Sequence, residues 1–174
     1  MYQIIQPDRK QTYNKEIITG DPEIRIFLAG SIEMGKAKNW QANIAEQLTK
    51  NVNQELATAH KALMPTLIFY NPRREENFTP EMEVKQIEWE QERLEKADYI
   101  FMYIQADTKS PISLLEFGEF MRTGKLFLSC DSTFYRYQNL KITAKHVGQA
   151  KHLFATTEEC CQALAQEIAT KIHA

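Results

Sequence analysis

The 174-residue chain holds only six glycines and six prolines, too few for a flexible linker or a low-complexity tract. Its cysteines, Cys130, Cys160 and Cys161, are odd in number and two are adjacent. No disulfide framework follows from that pattern, and they read as reduced thiols packed in or near the core. His60, His146, His152 and His173 form no pair one helical turn apart and lie near no cysteine pair, which argues against a metal site. No apolar run approaches the ~20 residues that cross a bilayer, and the opening MYQIIQPDRK lacks the apolar centre of a signal peptide. The formal net charge of −2 is the wrong balance for gripping a nucleic-acid polymer. These absences point to a cytoplasmic protein without metal, membrane or polymer partners.

What is present is enough for one core. With 43% hydrophobic and 25% charged residues, the chain suits a single soluble domain. Apolar runs alternate with helical periodicity, as βαβ units require. Strands are expected at Ile24 to Ala29, Leu67 to Tyr70, Tyr99 to Ile104, Lys125 to Cys130 and, more weakly, His152 to Ala155. Helices are expected near Ala37 to Leu48, Glu81 to Ala97 and Ile112 to Thr123, the last closed by Gly124. A final helix is capped by Thr156 or Thr157, with Glu158 or Glu159 in its first turn. Residues 1–23 read as an N-terminal extension, with YQIIQ and KEIIT as arms of a hairpin, and residues 24–174 as a doubly wound α/β domain. Ligands then belong at the carboxyl ends of the strands.

Three segments could carry chemistry. FLAGSIEMGKAKNW, Phe27 to Trp40, has the glycine and lysine spacing of a phosphate-cradling loop. Ala37, however, replaces the metal-binding hydroxyl, and Glu33 would repel phosphate. The strand running into Gly30-Ser31 can still present backbone N–H groups to a sugar or a single phosphate; the alternative is a plain tight turn. In the charged helix, Val84, Ile87, Gln91, Leu94 and Ala97 share one arc at ~100° per residue. Glu83 and Glu90 fall inside that arc, and Glu90 near the middle is either salt-bridged or raised in pKa and able to move protons. In SPISLLEFGEF, Ser110 can cap and Pro111 suits the first helical position. Leu114, Phe117, Gly118 and Met121 share its buried face, with Gly118 allowing close packing on the sheet. Periodicity alone puts Glu116 and Glu119 on the solvated side.

Taken in order, FLAGSI, the helix end LEKAD and the E-x-G element of LEFGEF resemble the nucleoside 2-deoxyribosyltransferase family and its related 2'-deoxynucleoside 5'-phosphate N-hydrolases, over roughly Ile24 to Cys130. The family's catalytic glutamate opens an E-L-G triplet, matched here by Glu116-Phe117-Gly118. Its second acidic residue stands eight positions before the aspartate of an Ala-Asp pair; from Asp98 that position is Glu90, which helical phase had also marked. The family commonly has Asp there. Transferases carry Asp six residues before the nucleophile, whereas this chain has Ser110, as the nucleotide hydrolases do for the 5'-phosphate. Pro111-Ile112-Ser113 replaces the usual glycine-rich run.

The resemblance implies a flavodoxin-like parallel sheet of about five strands. It also implies a retaining double displacement at the N-glycosidic bond of a deoxynucleoside or deoxynucleotide, with water or a free nucleobase as acceptor. Glu116 and Glu90 would be catalytic, and Gly30, Ser31, Ile32 and Ser110 would bind substrate, with no metal or cofactor. A non-catalytic nucleotide sensor on the same fold is the alternative. A homodimer or higher homo-oligomer is expected, with Trp89, placed far round the charged helix from its apolar arc, as a contact.

Overall fold

Short runs of Ile, Leu, Phe and Tyr, apolar on both sides, make strands that are buried on both faces. The computed structural model describes residues 1–7, 22–32, 39–60, 64–74 and 79–172. In it the strands are β1 (Tyr2–Ile5), β2 (Glu23–Gly30), β3 (Thr66–Tyr70), β4 (Tyr99–Ile104), β5 (Leu126–Cys130) and β6 (Leu153–Phe154). The helices between them are α1 (Gln41–Thr58), α2 (Pro80–Lys96), α3 (Pro111–Phe120), α4 (Tyr137–His146) and α5 (Thr157–Lys171). All strand pairs are parallel, in the order β1-β3-β2-β4-β5-β6.

The sheet is an open, flavodoxin-like one, with all five expected strands present and β1 added at its edge beside β3. The second arm of the expected hairpin, Lys15 to Thr19, lies outside the described residues, as does the stretch with Glu33, Lys36 and Ala37. From β2 the chain moves outward to β3, then crosses back to β4 on the other side of β2. That reversal opens a crevice beyond the carboxyl ends of β2 and β4.

Alternate strand residues feed two cores. Ile26, Leu28, Phe69 and Phe101 face α1 and α5, together with the buried Cys160 and Cys161. Phe27, Ala29, Ile100 and Met102 face α2, α3 and α4. Thr156 and Glu159 close a reciprocal capping box on α5. Trp40 just before α1, and Ile44 and Leu48 on it, are buried as their spacing requires. Helix α4 was not expected from sequence; Leu140 and Ala144 are its buried positions, too few to stand out as a pattern.

Helix α2 is turned from the expected arc. Val84 and Ile87 are 57% and 50% exposed, whereas Gln86, Trp89, Leu94 and Ala97 are buried. Trp89 is fully enclosed, its ring 6.3 Å from both Phe27 and Tyr70. It belongs to the monomer's core and cannot be the subunit contact expected from sequence. Burying an indole removes far more apolar surface from water than burying Val or Ile, so the helix settles roughly a quarter turn away. Glu83 goes to solvent, while Glu90 lies where the two arcs overlap and stays partly buried.

Candidate functional site

The site begins where β2 stops. Gly30 has φ +133°, and a Cβ there would stand 2.0 Å from the Tyr103 carbonyl oxygen, so only glycine fits. The close approach lets the Ser31 N–H donate to that carbonyl at 2.9 Å. The Trp40 indole N–H then holds the Ser31 carbonyl at 3.1 Å, tying the start of α1 to the same turn.

Ser31 is buried under the crevice floor. Its Oγ accepts from the Gln105 N–H at 2.9 Å and lies 2.8 Å from Thr108 Oγ1 and 2.6 Å from Ser110 Oγ. Thr108 Oγ1 and Ser110 Oγ are 2.8 Å apart, and Thr108 also donates to the Gln105 carbonyl. Three hydroxyls thus lock the β2 and β4 turns together. Ser110 does this instead of capping α3: its side chain makes no cap bond, and its backbone is left-handed at φ 45°, ψ 50°. A non-glycine residue held there costs on the order of 1 kcal/mol or more, a strain that collects at functional sites.

Two carboxyls approach this floor from different helices. Glu116 on α3 is only 6% exposed, contrary to the solvated place that periodicity gave it. Gly118 is the exposed residue, with nothing within 4 Å of an added Cβ. The reason is that the first turns of α3 border the crevice as well as the sheet, so Ser113 and Glu116 are enclosed on a second side. Glu90 on α2 accepts from Gln86 Nε2 at 2.6 Å. Both acids are raised in pKa, first by burial. For Glu116 the neighbouring Glu90 adds to it, and its value is pushed up to about 8. For Glu90 the Gln86 hydrogen bond and the Arg74 charge pull partly the other way.

A cavity of about 380 Å³ joins these groups. Its walls are Ala29 and Gly30 at the end of β2, Ile32 beyond it, Pro72 after β3, Glu90 of α2, Ser110 before α3, and Pro111 to Ser113 with Glu116 of α3. Gly30, Ile32, Glu90, Ser110 and Glu116 were expected at the site from sequence and line this one cavity; Ser31 supports it from below. Pro72, Ser113, Thr108 and Gln86 were missed. Gln86, one turn before Glu90, is the one a helical-spacing argument could have found. No lysine or arginine is among the described lining residues, and no cluster of metal-binding side chains occurs among the described residues. No helix of the structure is long and apolar enough to cross a membrane.

Such a site brings two buried acids to the wall of one cavity. Among solved structures, the chain is similar to a conserved protein from Enterococcus faecalis V583, at 11% identity and TM-score 0.41, over 87% of this chain and 98% of that one. No curated protein matches. The family described as "Nucleoside 2-deoxyribosyltransferase like" matches residues 23–134, which span β2 to the loop after β5 and contain every residue of the cavity. The chain belongs to the nucleoside 2-deoxyribosyltransferase-like family.

Proposed function

We propose that this protein cleaves or transfers at the N-glycosidic bond of 2'-deoxynucleosides or their 5'-phosphates, through a covalent 2-deoxyribosyl ester on Glu116. The observation that carries the reading is that Glu90 and Glu116, from two helices, meet in one cavity as a coupled pair. Paired carboxyls about 5 Å apart across a glycosidic bond are the equipment of retaining enzymes.

The Glu116 carboxylate attacks the anomeric carbon as the bond to the base breaks, and the departing ring nitrogen takes the proton of Glu90. Water or a free nucleobase then attacks the ester. Glu90, now a carboxylate, receives the acceptor's proton, and Glu116 is released as a carboxylate. Each half-reaction uses one proton on the pair. Burial raises the proton affinity of Glu116 to about 8, so before substrate enters the proton is expected there; the productive form has it on Glu90. A deoxyribosyl cation developing beside Glu116 favours that redistribution, because it stabilises the anion.

Gly30, Ser31 and Ile32 line or support the sugar, and Ser110 with the first turn of α3 receives its 5' oxygen or phosphate. No metal or cofactor enters these steps. Assembly as a homodimer or higher oligomer is also proposed. With Trp89 in the core, the proposed contact uses exposed apolar side chains, among them Val84 and Ile87 of α2 and Ile112 and Leu115 of α3. The test is incubation with deoxynucleosides and deoxynucleoside 5'-phosphates, with and without an acceptor base. Release or exchange of base that is lost in Glu116→Gln supports the reading; binding without turnover returns the protein to the sensor class.

A further inference from the structure

Glu90 does not meet the cavity with two equivalent oxygens. One turn earlier on α2, Gln86 is 4% exposed and its amide is fully engaged. Its Nε2 donates to the Pro72 carbonyl at 2.9 Å and to Glu90 Oε1 at 2.6 Å. Its own oxygen accepts from Arg74 Nε at 2.5 Å. This orientation is dictated by the partners: a carbonyl only accepts and a guanidinium only donates, so the amide nitrogen must face Pro72 and its oxygen must face Arg74. The second N–H is then aimed at Glu90 Oε1. An amide N–H cannot accept a proton, so Oε1 stays an acceptor in both charge states of Glu90.

Resting on the glycosidic reading above, we propose that Gln86 is a positioning residue that keeps the transferable proton of Glu90 on Oε2, the oxygen left for the cavity. Without it, either oxygen could hold the proton, and one of the two placements points it at protein rather than at a leaving group. Among the described residues, the charged and titratable groups facing Glu90 are Arg74 from the connection after β3 and Glu116 from α3. The Gln86 bond and Arg74 favour the carboxylate, and burial, the larger effect, opposes it. Gln86 therefore has two effects that can be measured apart: it selects the oxygen, and it lowers the proton affinity of Glu90.

The experiment uses full-length protein labelled with ¹³C at the glutamate carboxyls, the Glu90 resonance being assigned by its loss in Glu90→Gln. Gln86→Met keeps length and volume but removes both donors. The Glu90 titration midpoint should then move to higher pH by about a factor of ten in proton affinity, the worth of one good hydrogen bond. Gln86→Glu, which replaces the donor with a second acid, should move it in the same direction and serves if the methionine variant does not fold. In turnover assays Gln86→Met should lose about tenfold in kcat with KM little changed. In the Glu90→Gln background it should cost nothing further. An unmoved Glu90 midpoint, or an equal kcat loss with and without Glu90, overturns the proposal. If the wild-type protein turns over no deoxynucleoside or deoxynucleotide, the glycosidic reading falls, while the titration still decides what Gln86 does to Glu90.

Discussion

Gly30 lies so close to Tyr103 that a Cβ at residue 30 would sit 2.0 Å from a backbone oxygen. Backbone cannot yield as a flexible side chain can, so Gly30→Ala must push β2 and β4 apart where the crevice opens. A loss of about 3 kcal/mol or more, with loss of ligand binding, is expected in thermal unfolding and calorimetry. Gly118→Ala is the contrasting case. It lies inside α3 with open space around it, and the better helix former should add about 0.5–1 kcal/mol.

Under the proposed mechanism Glu116→Gln lowers turnover by several decades, because the amide is not a nucleophile, and it should also stabilise the fold. The wild-type carboxyl titrates at about 8 in the protein against an ordinary 4.5. Below 4.5 it is neutral whether folded or unfolded and costs nothing. Between 4.5 and about 8 the unfolded chain ionises first, so stability falls as pH rises, by on the order of 5 kcal/mol in all. The Gln variant escapes that loss. Melting curves should coincide near pH 4 and separate at pH 8, with the variant the more stable; coincidence at both would show that Glu116 is not held neutral.

The pair should give a bell-shaped pH dependence of kcat/KM. In the proposed reaction, both acids protonated leaves no nucleophile, and both ionised leaves no acid. The alkaline limb should fall near pH 8, and the acid limb should lie above the ordinary carboxyl value, since burial raises Glu90 as well. These are properties of the pair and not of either residue alone. Glu90→Gln should remove the bell and lower the rate by roughly 10²–10⁴. Glu92→Gln, whose partner is Lys96 at the surface, should leave both unchanged.

Trp89→Ala empties a site between Phe27 and Tyr70 and should cost about 3–5 kcal/mol, near 10 °C or more in Tm for a chain of this size. Val84→Glu with Ile87→Glu touches no core contact and should leave Tm nearly unchanged. Under the proposed assembly, the double variant sediments at the 20.3 kDa of one chain, while the wild-type protein sediments as a larger species. Identical sedimentation would remove α2 from the interface.

Five strands were legible because each is an apolar run bounded by a turn, whereas β1, read as a hairpin arm, joins the sheet parallel to β3. The site was legible only in part, for a physical reason visible in α2 and α3. Periodicity assumes that a helix has one buried side, whereas these two helices face the sheet and the crevice together. Glu116 is therefore enclosed although it lies off the sheet-facing side, and only the E-x-G resemblance pointed to it. On α2 the error ran the other way: arranging small aliphatics on one arc ignored that a single indole outweighs two of them. Glu90 was found because it borders both arcs. The hydroxyl cluster of Ser31, Thr108 and Ser110 spans 79 positions of sequence, and no local pattern marks it.

β1 contributes four residues, and it covers the outer side of β3. β3 is buried at all five positions and pairs with β2 on one side and β1 on the other. Without Tyr2–Ile5, its second row of backbone donors and acceptors would face water beside an apolar surface, the template on which foreign strands add. During synthesis Tyr2–Ile5 must wait until residues 67–70 are made before it finds its place. An expression tag fused directly to Met1, or a trim of the first seven residues, should therefore show itself as aggregation before it shows itself as lost chemistry.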